Sequence, residues 1–114
     1  MELQINLDCA DLERMVAFYT AAFGYERKGT AGSTYASAAP EAGGDGPKLV
    51  FQRVPEAKSV KNRMHLDVIV DDIEAEAARY VALGATRVEK ISEFGCTWIV
   101  MHDPEGNELC LCDS

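Results

Sequence analysis

The chain has 114 residues, 47% of them hydrophobic, enough for one compact domain with a real core but not for two independent ones. Its formal net charge of −8, from 19 acidic against 11 basic residues, argues against a nucleic-acid partner, since phosphate contacts need clustered lysines and arginines. No apolar run approaches the length of a membrane span and no basic-then-apolar leader is visible, so the expectation is a cytoplasmic protein with no membrane partner.

Residues 2–8 alternate Leu3, Ile5 and Leu7 with Gln4, Asn6 and Asp8, the pattern of a half-buried strand. Asp11 caps a helix from Leu12 to Phe23. In it Leu12, Met15, Val16, Phe18, Tyr19, Ala22 and Phe23 recur at intervals of three and four, and Gly24 ends it. Residues 25–29 and 34–38 read as two short strands with Gly29 to Ser33 between them. Ala39 to Pro47 collects prolines and glycines and reads as a loop, after which Leu49 to Val54 closes the first half. Pro55 to Arg63 is a link carrying Lys58, Lys61 and Arg63, read either as an anion-attracting rim or as a solvated connector.

The stretch from Met64 to Asp72 is the most informative. Leu66, Val68 and Val70 form one face of a strand, and His65, Asp67 and Ile69 form the other. Asp71 and Asp72 then lead into a helix that runs from Asp72 to Leu83 and ends at Gly84. Residues 86–91 and 96–102 read as strands, Asp103 to Asn107 as a tight turn, and Asn107 to Cys112 as the closing strand.

Gln4 to Asp11 aligns residue for residue with His65 to Asp72, so the chain reads as a duplicated unit: two βαβββ half-modules, about 1–54 and 64–114, in a single domain. The closing strands align as Val50-Phe51-Gln52 with Glu108-Leu109-Cys110. This predicts that Gln4, Gln52, His65 and Cys110 point into one concavity where two curved half-sheets meet.

His65 beside Asp67 has the composition of an oriented general base, yet side chains two apart on a strand are separated by about 7 Å, which argues against a direct bond. Cys110 near His65 is a nucleophile pair or a packed thiol, and no third orienting group is evident. Trp98 either lines a cavity and stacks on a flat ligand or belongs to the core. His102 reads as a turn-packing residue, and Gly43 to Gly46 lacks the continuation of a phosphate loop. None of the four cysteines forms a CxxC pair, which suits free thiols in a reducing compartment.

Several features resemble, in order and spacing, the glyoxalase-like branch of the vicinal oxygen chelate superfamily. They are the βαβββ repeat, Phe18-Tyr19 followed by Phe23-Gly24, Val54-Pro55-Glu56 with Lys58, Lys61-Asn62-Arg63 and His65-Leu66-Asp67, and Trp98, Met101 and Asp103 to Leu111. The resemblance implies an α+β fold of two βαβββ modules forming a curved, cup-shaped mixed sheet with helices on the outer face, often completed as a homodimer. It also implies four metal-ligand positions, which map onto Gln4, Gln52, His65 and Cys110. The amides of Gln4 and Gln52 are neutral, weak ligands, so only His65 and Cys110 are metal candidates, and no cofactor is expected.

Two classes of function follow. The first is a small-molecule binder with a hydrophobic cup and a degenerate metal site, taking a cationic or aromatic ligand for resistance or sequestration, with Gln4, Asn6, Gln52, His65, Asp67, Trp98 and Cys110 lining the pocket. The second is a lyase, isomerase or dioxygenase with an altered metal site. An interaction module with a vestigial cup is a third.

Overall fold

Two aspartates start the two helices in the same way. Asp11 and Asp72 both have extended backbone, and their carboxylates accept the N–H groups of Arg14 and Ala75, each at 3.0 Å. This satisfies a donor that the first turn leaves free. The helices are α1 (Leu12–Phe23) and α2 (Ile73–Ala82). Gly24 closes α1 in the left-handed conformation, φ 67°, where a Cβ would be strained.

The computed structural model describes residues 1–114, in which two units follow one another, Met1–Ala57 and Lys58–Ser114. The first unit carries β1 (Gln4–Cys9), α1, β2 (Glu26–Ala31), β3 (Tyr35–Ala39) and β4 (Lys48–Arg53). The second carries β5 (Leu66–Val70), α2, β6 (Thr86–Glu93), β7 (Cys96–His102) and β8 (Glu108–Asp113). The protein is thus α+β, with two βαβββ modules of like design. Each unit has a four-stranded mixed sheet, in the orders β1-β4-β3-β2 and β5-β8-β7-β6. In both, the first strand runs parallel to the last, and the remaining pairs are antiparallel.

Each helix covers one face of its own sheet. In the first unit Phe18 and Tyr19 pack edge to face, and Tyr19 also lies 5.7 Å from the ring of Phe51. Ala36 and Ala38, small and buried, let these aromatics approach β3 closely. In the second unit Ile73, Ala77 and Tyr80 of α2 belong to a core with Ile99, Met101, Leu109 and Leu111. The alternation of these strands therefore leaves one face of each sheet free of its helix.

The structure corrects several boundaries. β2 runs on through Gly29 to Ala31, with Gly29 paired to Ser37, so the expected loop from Gly29 to Ser33 shrinks to a turn at residues 32–34. Ala39 belongs to β3, and the following loop is tied down by the Tyr25 hydroxyl, which donates to the Pro47 carbonyl at 2.9 Å. Leu3 precedes β1 and is 70% exposed rather than part of the buried face.

The closing strands also pair differently from the sequence alignment. Ile5 lies opposite Leu49 and its counterpart Leu66 lies opposite Leu109, so Leu49 corresponds to Leu109, Val50 to Cys110 and Gln52 to Cys112. The slide is two residues. It keeps every side chain on its face, which is why the hydrophobic pattern did not reveal it.

Candidate functional site

The helix-free face of the second sheet is built in rungs. Asp67 on β5 lies opposite Cys110 on β8, which lies opposite Val100 on β7. The next rung is Ile69, Cys112, Trp98 and Ile91. Their neighbours Leu109, Leu111, Ile99 and Met101 are fully buried on the helix side, so pleating sends Cys110, Cys112, Trp98 and Val100 to the open side. Trp98 is therefore half-buried on that face, not in the core beneath α2.

His65 sits just before β5, outside the regular ladder. Freed from strand geometry, its Nδ1 comes within 3.1 Å of the Asp67 carboxylate, and the direct bond that strand spacing argued against is made. A carboxylate only accepts, so Nδ1 carries the proton of this bond and Nε2 is the ring nitrogen left for another partner. Cys110 joins this pair: one ligand atom each from His65, Asp67 and Cys110 lie within 4.8 Å of one another. His65 and Asp67 are exposed, whereas Cys110 is 6% exposed. Burial pushes the Cys110 thiol up to about 11, helped by the Asp67 carboxylate and Cys112 and opposed by Lys61. At neutral pH it is a thiol, which argues against a standing nucleophile.

The segment leading to His65 is fastened to β8. The Lys58 ammonium donates to Glu108 at 2.9 Å and to the Val60 carbonyl at 2.7 Å. Asn62 donates its backbone N–H to the other Glu108 oxygen at 3.1 Å and its side-chain amide to Asn107 at 3.0 Å. Lys58 is thus a fastening rather than part of an open basic rim. Asp103, 3% exposed, holds the turn beneath by accepting from Glu105 N–H and from both nitrogens of Asn107. Sequence reasoning missed Asn62, Asp103 and Glu108. The signal was present in Asp103-Pro104-Glu105-Gly106-Asn107, whose first residue is a turn-forming carboxylate.

The first sheet offers a contrasting face. The counterparts of His65, Asp67 and Cys110 are Gln4, Asn6 and Val50, none of which ionises. Gln52 accepts a long hydrogen bond, 3.4 Å, from Asn6. Gln4 lies opposite Lys48 while Gln52 lies opposite Asp8, so these two glutamines stand at opposite ends of their ladder and do not form a pair. A separate shallow cavity of about 410 Å³, lined by residues including Ile69, Asp71, Asp72 and Glu76, lies at the other end of β5 from His65.

A family model described as a glyoxalase-like domain matches residues 4–112. The chain belongs to the glyoxalase-like domain family. Among curated proteins, none matches it. Its fold is that of a glyoxalase/bleomycin resistance protein/dioxygenase family enzyme from Burkholderia phytofirmans PsJN (TM-score 0.79, 19% identity, 96% of this chain and 95% of that one). Lactoylglutathione lyase from Agrobacterium tumefaciens is similar (TM-score 0.72, 17% identity, 100% and 93%). So is a mutant of the fosfomycin resistance protein FosX from Listeria monocytogenes, complexed with Mn(II) and a dihydroxypropylphosphonic acid (TM-score 0.80, 17% identity, 96% and 86%).

The residues of this glyoxalase-like chain fit a metal ion in one place only. Gln4 and Gln52 supply neutral amides, far apart on their ladder. His65, Asp67 and Cys110 supply a nitrogen, an oxygen and a sulfur donor on one face of one sheet, a set that would hold a borderline or soft divalent ion. Such an ion would supply Lewis-acid polarisation of a substrate oxygen.

Proposed function

We propose that this glyoxalase-like protein binds a small cationic or aromatic molecule, in resistance or sequestration, on the helix-free face of its second sheet. The observation that carries this reading is the rung Ile69–Cys112–Trp98–Ile91, an apolar strip with 62% of Ile69 exposed, directly beside the Asp67 carboxylate. A flat ligand stacks on the indole while a positive group meets Asp67, and the net charge of −8 draws cations to the protein. Gln4, Asn6 and Gln52, expected from the sequence among the pocket residues, stand on the ladder of the first sheet as neutral hydrogen-bonding groups. We take the protein as a single domain of two half-modules and as a cytoplasmic homodimer. The free state of all four cysteines suits a reducing compartment, and no helix is long and apolar enough to cross a membrane.

Trp98 is the only tryptophan, so its fluorescence reports the face directly. A panel of cationic antibiotics and aromatic metabolites is expected to contain a compound that quenches Trp98 and raises the thermal midpoint, with both effects reduced in Trp98→Ala and Asp67→Asn. Binding that is indifferent to both substitutions would overturn the reading. The grouping of His65, Asp67 and Cys110 favours a second reading, a lyase, isomerase or dioxygenase with an altered metal site. Metal-dependent turnover lost in His65→Ala distinguishes it.

A further inference from the structure

We propose that the ligand of the second sheet's open face is an aromatic zwitterion, with its ammonium on Asp67, its carboxylate on Lys61 and its ring on Trp98. The inference rests on the proposed ligand site and names the chemical class that site takes.

Lys61 is brought to this face by its neighbours. Glu108 precedes Cys110 by two positions on β8 and shares its side of the sheet, since Leu109 between them is buried on the helix side. Lys58 and Asn62 both bond to the Glu108 carboxylate, so the segment between them crosses the open side at the head of β8. Asn62 is tied a second time, to Asn107. Lys61 therefore stands on a stretch of backbone held at both ends, yet its own side chain is exposed and enters no ion pair. Its ammonium and the Asp67 carboxylate both act on Cys110, where one favours the thiolate and the other opposes it. Two opposite charges thus serve one patch without neutralising each other. Asp67 spends only Oδ1 on His65, and its second oxygen is left to accept from an ammonium.

The pairing of charges selects the ligand. A purely cationic molecule on Asp67 has Lys61 beside it as a like charge, which weakens its binding. A purely anionic one on Lys61 meets Asp67 and the net charge of −8. A molecule carrying both signs turns each repulsion into an anchor. Its apolar part follows from the rungs: Asp67 and Trp98 stand two strands and one rung apart, roughly 12 Å between Cα positions at ordinary strand spacing and rise. Once the two side chains have reached into that space, one ring on a short alkyl stem fills it, with Cys112 and Ile69 as the floor.

The matched probes are phenylalanine, phenethylamine, which lacks the carboxylate, and 3-phenylpropionate, which lacks the ammonium. They are titrated into the whole chain and read by Trp98 fluorescence and calorimetry. Phenylalanine is expected to bind about fivefold or more tighter than either fragment, the scale of an exposed ion pair. Lys61→Gln is expected to bring phenylalanine down to the level of phenethylamine and to leave phenethylamine no weaker. Asp67→Asn is expected to bring it down to the level of 3-phenylpropionate. Lys48→Gln removes the same charge from β4 of the first module and is expected to change nothing, which separates contact from overall charge. Circular dichroism checks that these variants, all at exposed positions, are folded. Phenethylamine binding as tightly as phenylalanine, or a phenylalanine advantage that survives Lys61→Gln, overturns the inference and leaves the proposed function standing. Phenylalanine binding that ignores both Trp98→Ala and Asp67→Asn overturns the two together. Failure of all three probes to bind overturns the inference, while the wider panel of cationic and aromatic compounds still decides the proposed function.

Discussion

Arg87 holds Glu74 with both terminal guanidinium nitrogens, at 2.6 and 2.9 Å, across the step from the edge strand β6 to the first turn of α2. Arg27 repeats the grip on Glu13 between β2 and α1. The duplication thus extends beyond backbone and caps to an ion pair at the same place in both modules, where a carboxylate also meets the positive end of a helix.

The side-chain bond to Arg87 holds the Glu74 carboxyl at about 2, with Lys90 adding to it. Both partners are roughly half exposed, so salt screens the effect. A carboxyl-detected NMR titration is expected to place Glu74 far below its neighbours in low salt and to return it toward the ordinary value of 4.5 in Arg87→Ala. An unmoved midpoint in that variant would show that the pair is not formed in solution.

Glu108 is the better buried charge, its side chain 8% exposed against 22% for Lys58. Burial works to raise its pKa, but the Lys58 ammonium and the Asn62 N–H outweigh this and hold it below the usual carboxylate value. A lowered folded pKa contributes stability that is present above the unfolded value and lost as pH falls through the folded one. Glu108→Gln is therefore expected to destabilise by about 1–3 kcal/mol near neutral pH, with the gap to the parent protein narrowing in acid. Denaturant melts across that range check it.

Phe51 is wholly buried on the helix-facing side of β4 beside Tyr19. Phe51→Ala removes a ring that the small neighbours Ala36 and Ala38 cannot replace, and is expected to cost about 3–5 kcal/mol in chemical denaturation. Phe51→Leu is expected to lose clearly less.

Phe94 is 98% exposed at the tip of the β6–β7 hairpin and has φ 52°, with Gly95 following at φ 76°. Two positive values between the paired residues Glu93 and Cys96 make a tight hairpin turn whose preferred first residue is Asn, not an aromatic. Phe94→Asn is expected to stabilise by about 1 kcal/mol, read from the thermal midpoint, with no change in the sheet.

The helices were legible because caps and apolar spacing are local: Asp11, Asp72, Gly24 and the Met15–Tyr19 stripe act within a turn of their own position. The two-module plan was legible because residues 4–11 and 65–72 repeat. The register of Gln52 was not, since sliding a strand by two residues leaves the same side chains on the same face. The His65–Asp67 bond escaped because it depends on His65 standing off the ladder. The fastening of Lys58 and Asn62 to Glu108 joins residues some fifty positions apart, and nothing in their spacing announces it.

The pairing of β2 shifts between Arg27 and Gly29, and that of β6 shifts between the counterpart residues Arg87 and Glu89. These are the outermost strands of their sheets in the orders given by the pairing. An extra residue there bends the strand and spoils the flat row of free amides that a foreign strand would need for docking. Deleting Lys28 or Val88 would straighten that border and turn a protected rim into a seed for fibrous self-association.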